Sequence, residues 1–108
     1  MPPDQPYNVD ACLVMRAKSG DSMAIKQLLY HVSSPLREVI ESKLPNEYRR
    51  VVSTDDVFQE TAIAVQLRIS SLTSNCPNFF WAWAEKVAEN KLQAIVRAER
   101  AKKRHAWW

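Results

Sequence analysis

Glycine is almost missing: in 108 residues it occurs once, at Gly20. Strands joined by tight hairpins draw on glycine for their positive-φ turn positions, so this scarcity argues against a sheet and for helices. Cysteine is nearly as rare. Cys12 and Cys76 stand too far apart in sequence to form a metal-binding knuckle, and no metal site is expected. They read as reduced thiols of a cytoplasmic protein rather than as a disulfide. No apolar run is long enough to span a bilayer, and the opening "MPPDQPYNVD" has no signal-peptide core. A glycine-rich phosphate loop, a nucleophile motif and a Cys/His cluster are all absent. Enzyme activity is not expected, and no cofactor is implied. His31 and His105 carry no partner pattern, and His31 sits inside an apolar helical stripe.

What is present is charge, unevenly placed. The chain carries a net +3, yet residues 91–108 hold Lys91, Arg97, Arg100, Lys102, Lys103 and Arg104 against Glu99 alone, a local balance of +5. The remainder therefore sums to −2, so one end suits a polyanion while another face suits a different partner. The plain alternative is a basic helix end that complements its own dipole.

Hydrophobic periodicity predicts a single all-α domain, a compact bundle of about four helices. Residues 1–8, with Pro2, Pro3 and Pro6, read as a flexible lead. A short helix is predicted over 9–18, followed by a break at "SGDSMA" with Asp21 or Ser22 as the next cap. Ile25, Leu28, Leu29, Val32, Leu36, Val39 and Ile40 then recur on one helical face. Pro35 should kink that helix or restart it with Ser34 as cap. "LPNEYRRVVS" reads as a linker, and Ser53 or Thr54 as the cap of a third helix. The apolar seam expected there is Phe58, Ala62, Val65, Ile69 and Leu72. "SLTSNCPN" is a polar loop, and Pro77 or Asn78 opens a last helix burying Phe80, Trp83, Val87 and Ala94.

Three constellations stand out. Asp55, Asp56 and Glu60 crowd the first turns of the third helix, which its dipole favours without any further role. That explanation leaves Gln59, Ile63 and Gln66, a second, partly polar line, either solvated or docked on a partner helix. In "NFFWAWAEKVAENK" Phe80 and Trp83 can face a core, which turns Phe79 and Trp81 elsewhere. Exposed rings beside a basic stretch are the elements of a single-strand binder, the rings stacking bases and the cations following phosphates; the alternative is rings wrapped around a small core. Asn90 continues the count Trp83, Val87, Asn90, Ala94, so it is expected to be buried and to need a partner, such as backbone of the preceding loop.

"AKSGDSMAIKQLLY", "DDVFQET" and "FFWAWAEKVAENKLQAIVRAERAKKR", in that order, resemble region 2 of bacterial sigma factors, in particular the extracytoplasmic-function class. The resemblance covers roughly residues 9–104, leaving 105–108 as a C-terminal end that could open a linker to a further region. It implies a transcription initiation domain that binds core RNA polymerase and recognises and helps melt the minus-ten promoter element. The helix bearing Asp55, Asp56, Gln59, Glu60, Ile63 and Gln66 then matches the one that docks on the clamp helices of the beta-prime subunit. The loop of residues 71–78, with Ser74, Asn75 and Asn78, resembles the one that captures a flipped base of the non-template strand. Phe79 and Trp81 would supply a stacking wall, and Asn90 matches a family Asn near that pocket. Lys91, Arg97, Arg100, Lys103 and Arg104 fall where the family holds promoter backbone. An anti-sigma factor is a further implied partner. Ala84 departs from a usual Leu and Glu89 from a common basic residue, and no second, helix-turn-helix region follows "RHAWW". The chain is thus a piece of a longer factor or a stand-alone domain. The rival readings are a generic basic DNA-binding module, and a helical interaction module that occupies a polymerase or regulator surface without reading DNA.

Overall fold

The computed structural model describes residues 10–105, with the side chains of 103–105 outside the description. The lead of residues 1–8 and the end beyond His105 lie outside the described residues. Four α-helices follow one another: α1 (Ala11–Lys18), α2 (Ser22–Lys43), α3 (Thr54–Arg68) and α4 (Pro77–His105). No strand occurs among the described residues, as the glycine scarcity implied.

Each of the first three helices starts with a side chain that satisfies an otherwise unpaired backbone N–H. Asp10 caps α1, its carboxylate accepting from the Leu13 N–H at 2.8 Å. Asp21 caps α2 by accepting from Met23 and Ala24 at 3.0 and 3.2 Å. Ser53 caps α3 through the Asp56 N–H at 3.0 Å. Between α1 and α2 the chain turns at Gly20, whose φ of 99° is a conformation that a Cβ disfavours.

In α2, Ala24, Leu28, Val32, Leu36 and Ile40 are buried at intervals of four. Pro35 lies within one continuous α2, so the restart with Ser34 as cap, one of the two expected outcomes, does not occur. The stretch stays helical because Val32 and Leu36, on either side of the proline, are both locked into the core. The stretch expected as a linker also joins the core: Leu44, Tyr48 and Val52 are buried around a 3₁₀ turn at Asn46–Tyr48. Arg49 holds it to α2, reaching the Glu41 carboxylate and, at 2.8 Å, the Glu41 carbonyl.

The buried side of α3 is Val57, Thr61, Ala64 and Val65: Val65 is buried as expected, while Val57 and Thr61 take the core positions expected of Phe58 and Ala62. Phe58 is half-buried, its ring covered on one side by the Arg37 guanidinium of α2 at 4.4 Å. Thr61, the one buried polar side chain described, donates to the Val57 carbonyl at 2.8 Å. A second 3₁₀ turn, Ile69–Ser71, carries Ile69 and then Leu72 into the core.

Helix α4 buries Phe80, Ala84, Val87, Ala88, Leu92 and Val96 against α2 and α3. Trp83 is half-buried, its ring 6.2 Å from that of Phe80, whereas Ala94 is exposed. With 29 residues the helix is about 43 Å long, most of the molecule's 54 Å length.

Candidate functional site

The outward side of α3 is as regular as its buried one. Asp56, Gln59, Glu60, Ile63, Gln66 and Leu67 are all exposed and recur at helical spacing. Ile63 and Leu67 are 52% and 76% exposed, so this helix shows aliphatic surface on the side away from the core. Asp55 stands at its edge, held by Arg37 at 2.6 Å and by Gln59 at 3.0 Å. The face is thus acidic at its start, apolar at its centre and carries amides along its length. Leu67 escaped the sequence reading although it follows Ile63 by four residues.

The turn between α3 and α4 is tied at both ends. Leu72 is buried, and the Ser74 hydroxyl accepts from the Cys76 N–H at 3.0 Å. Asn75 is held from outside, its side-chain oxygen accepting from Lys18 of α1 at 3.0 Å. Ser74 and Asn75 are half-buried; Asn78 and Phe79 are exposed at the start of α4.

Along α4, Phe79, Lys86, Asn90, Gln93 and Arg97 are exposed and lie within about 40° of one line at the helical 100° per residue. Asn90 therefore belongs to the outer face. The count that buried it drifts: Phe80, Ala84, Val87, Ala88 and Leu92 define the core side, and exposure removes the need for a buried partner. It also lies about 18 Å along the axis from Asn78, too far to brace the loop as expected. Trp81 is half-buried, packs against the core and lies about 200° around the helix from Phe79, so the two rings make no common wall.

Towards the C-terminal half, α4 and the end of α2 enclose a groove of about 420 Å³ lined by Lys43, Glu89, Gln93, Arg97 and Arg100. Arg100 is steered by Tyr48, whose hydroxyl accepts from its Nε at 3.2 Å. Lys43 is ion-paired with Glu89, which raises the lysine's pKa above its ordinary value. Nearby, the Thr54 hydroxyl and then Arg49 hold the Glu41 carboxyl below the usual carboxylate range. Lys91 is half-buried on the side of the helix near the core. Lys103 and Arg104 lie on α4, but their side chains are outside the described residues.

The family model for ECF sigma factors matches residues 8–106. The chain belongs to the ECF sigma factor family. No curated protein matches it. ECF sigma factors serve transcription initiation, with RNA polymerase and promoter DNA as partners, and the family is not an enzyme class. Within this ECF sigma factor domain no described helix is long and apolar enough to cross a membrane.

Proposed function

We propose that the domain docks on core RNA polymerase, at the clamp helices of the beta-prime subunit, through the outer face of α3. The same reading has residues 71–78 and the outer face of α4 recognise and help melt the minus-ten element on its non-template strand. The observation that carries it is the α3 face itself. Asp56, Gln59, Glu60, Ile63, Gln66 and Leu67 line a surface that the bundle leaves uncovered, and a helical partner would bury its two aliphatic side chains. Asn78, Phe79 and Asn90 supply amides and a ring on the outer face of α4, and Arg97 and Arg100 supply cations. A cytoplasmic location and control by an anti-sigma factor belong to this reading.

The test is capture of core polymerase by the isolated domain. Charge reversal at Asp56 and Glu60 should abolish or strongly weaken capture while leaving helicity and melting almost unchanged. Equal capture by D56K/E60K and the parent chain removes the α3 assignment. The second reading, an interaction module that does not read DNA, draws on Asn75, whose amide oxygen Lys18 already occupies. Single-stranded oligonucleotides varied at one minus-ten position distinguish the two. A ranking among them that changes when Ser74–Asn75 is replaced by another small polar pair supports base reading. No ranking at all supports the module.

A further inference from the structure

The groove between the end of α2 and the middle of α4 holds more positive charge than it offers. Lys43, Arg97 and Arg100 all line it, from two separate helices, and Gln93 adds an amide. The buried side chains of Leu92 and Val96 form part of its wall. Arg100 is fixed there by the Tyr48 hydroxyl, and its guanidinium carbon lies 5.9 Å from the centre of the Tyr48 ring. These are the features of a seat for an oxyanion: converging cations, one of them pre-oriented, on a partly apolar wall.

One carboxylate already lines the same groove. Glu89 reaches across from α4 and pairs with Lys43, and the Glu89 side chain is only 23% exposed, so it is held in place rather than waving in solvent. Glu85, one turn earlier, adds a weaker attraction on the same lysine. The Glu89 carboxylate thus offsets part of the positive field that Lys43 presents to the groove.

We propose that this groove seats a backbone phosphate of nucleic acid, and that Glu89 is a resident anion that masks Lys43 and so limits the affinity. The inference rests on the reading that α4 meets nucleic acid, and adds to it a cation from another helix and a residue that opposes binding. Lys43 lies outside the basic run of residues 91–108, in a segment whose local sequence gives no hint of the contact. A weak phosphate contact leaves sequence reading to other residues, because phosphates position a protein without distinguishing bases.

The experiment uses the full chain and a fluorescently labelled single-stranded oligonucleotide of mixed sequence, with affinity measured across a salt series. Glu89→Gln should bind more tightly by about two- to fivefold, as expected for one exposed charge pair undone. Its salt slope should steepen by about 0.7, as one more single-strand phosphate is neutralised. The double variant K43Q/E89Q should return to the parent affinity and slope, because the unmasked cation is gone. Thermal melting of each variant, and the alternative Glu89→Ala, guard against a loss of fold.

Parent-like affinity and slope in folded E89Q and E89A, with the parent still binding, overturn the masking and leave the reading of α4 standing. A gain that persists in K43Q/E89Q overturns it too, since the effect then comes from net charge alone. No binding by any variant at low salt overturns both. Inorganic phosphate competing better than chloride at equal ionic strength assigns the groove to a free small anion and overturns the polymer assignment.

Discussion

Phe80 and Asn90 lie ten positions apart on one helix and belong to opposite sides of it. Phe80 is fully buried against α2 and α3, and removing its ring leaves a cavity that the bundle can only partly close. Phe80→Ala should cost about 3–5 kcal/mol, a large share of the roughly 5–15 kcal/mol typical of a domain. Urea or thermal unfolding measures it. Asn90→Ala, at an exposed position, should change stability by no more than about 0.5 kcal/mol, while weakening binding to every single-stranded site if the outer face meets DNA. The contrast shows what local counting reads well and badly. Phe80 was legible because the next turns repeat its apolar character at Ala84, Val87 and Ala88. Asn90 was misplaced because Trp83, which started the count, sits at the edge of the buried arc, and steps of three and four from there drift outward. A real buried Asn in that position would have lost stability on replacement.

Among the elements, α3 hid most from the sequence. It carries aliphatic residues on both sides, Val57, Ala64 and Val65 inward and Ile63 and Leu67 outward. Periodicity alone therefore misplaced the first two turns of the seam, at Phe58 and Ala62, while Val65, Ile69 and Leu72 are buried as expected. Packing against the neighbouring helices separates the two faces, and Arg37, arriving from another helix, covers the Phe58 ring between them. Leu67→Ser should therefore leave the melting temperature nearly unchanged yet reduce capture of core polymerase, and pull-down beside a thermal melt checks both. The segment after α2 was misread for a related reason. Leu44, Tyr48 and Val52 follow no helical or strand period, so their burial depends on tertiary packing that no local pattern announces. Caps were far more legible, since Asp21 and Ser53 act through their own next residues. The tie between α2 and α3 also has a pH signature. The Thr54 hydroxyl and Arg49 depress the Glu41 carboxyl from its ordinary 4.5. A depressed acid stabilises the fold above its unfolded pKa and loses that contribution as pH falls through its lower folded value. Melting temperature should thus decline below about pH 4.5, and Glu41→Gln should decline less steeply over the same window. Circular dichroism melts from pH 6 to pH 3 read the difference.

For the whole molecule, charge is the property that both sequence and structure express most simply. Arg97 and Arg100 are exposed on α4 and line one groove. Neutralising both should weaken binding to all sequences alike and flatten the salt slope by about 0.7 for each single-strand phosphate left without its cation. A collapse of sequence preference instead would mean that these side chains read bases. The fold class was legible because helix-forming periodicity and a lack of glycine point the same way. The groove was not, because Lys43 and Glu89 are 46 residues apart and meet only once the bundle has formed. The length of α4 adds a consequence of its own. Beyond Arg100 the residues whose side chains are described, Ala101 and Lys102, are exposed, and the helix runs on to His105 with positive charge towards its tip. The rest of the chain carries net −2, and the outer face of α3 is acidic. Acidic and basic faces on two different helices make the charge distribution of the domain uneven. If α4 meets a polyanion as proposed, such an uneven distribution would favour approach by its basic face. Encounter would then be oriented in advance, leaving the α3 face open to a second partner.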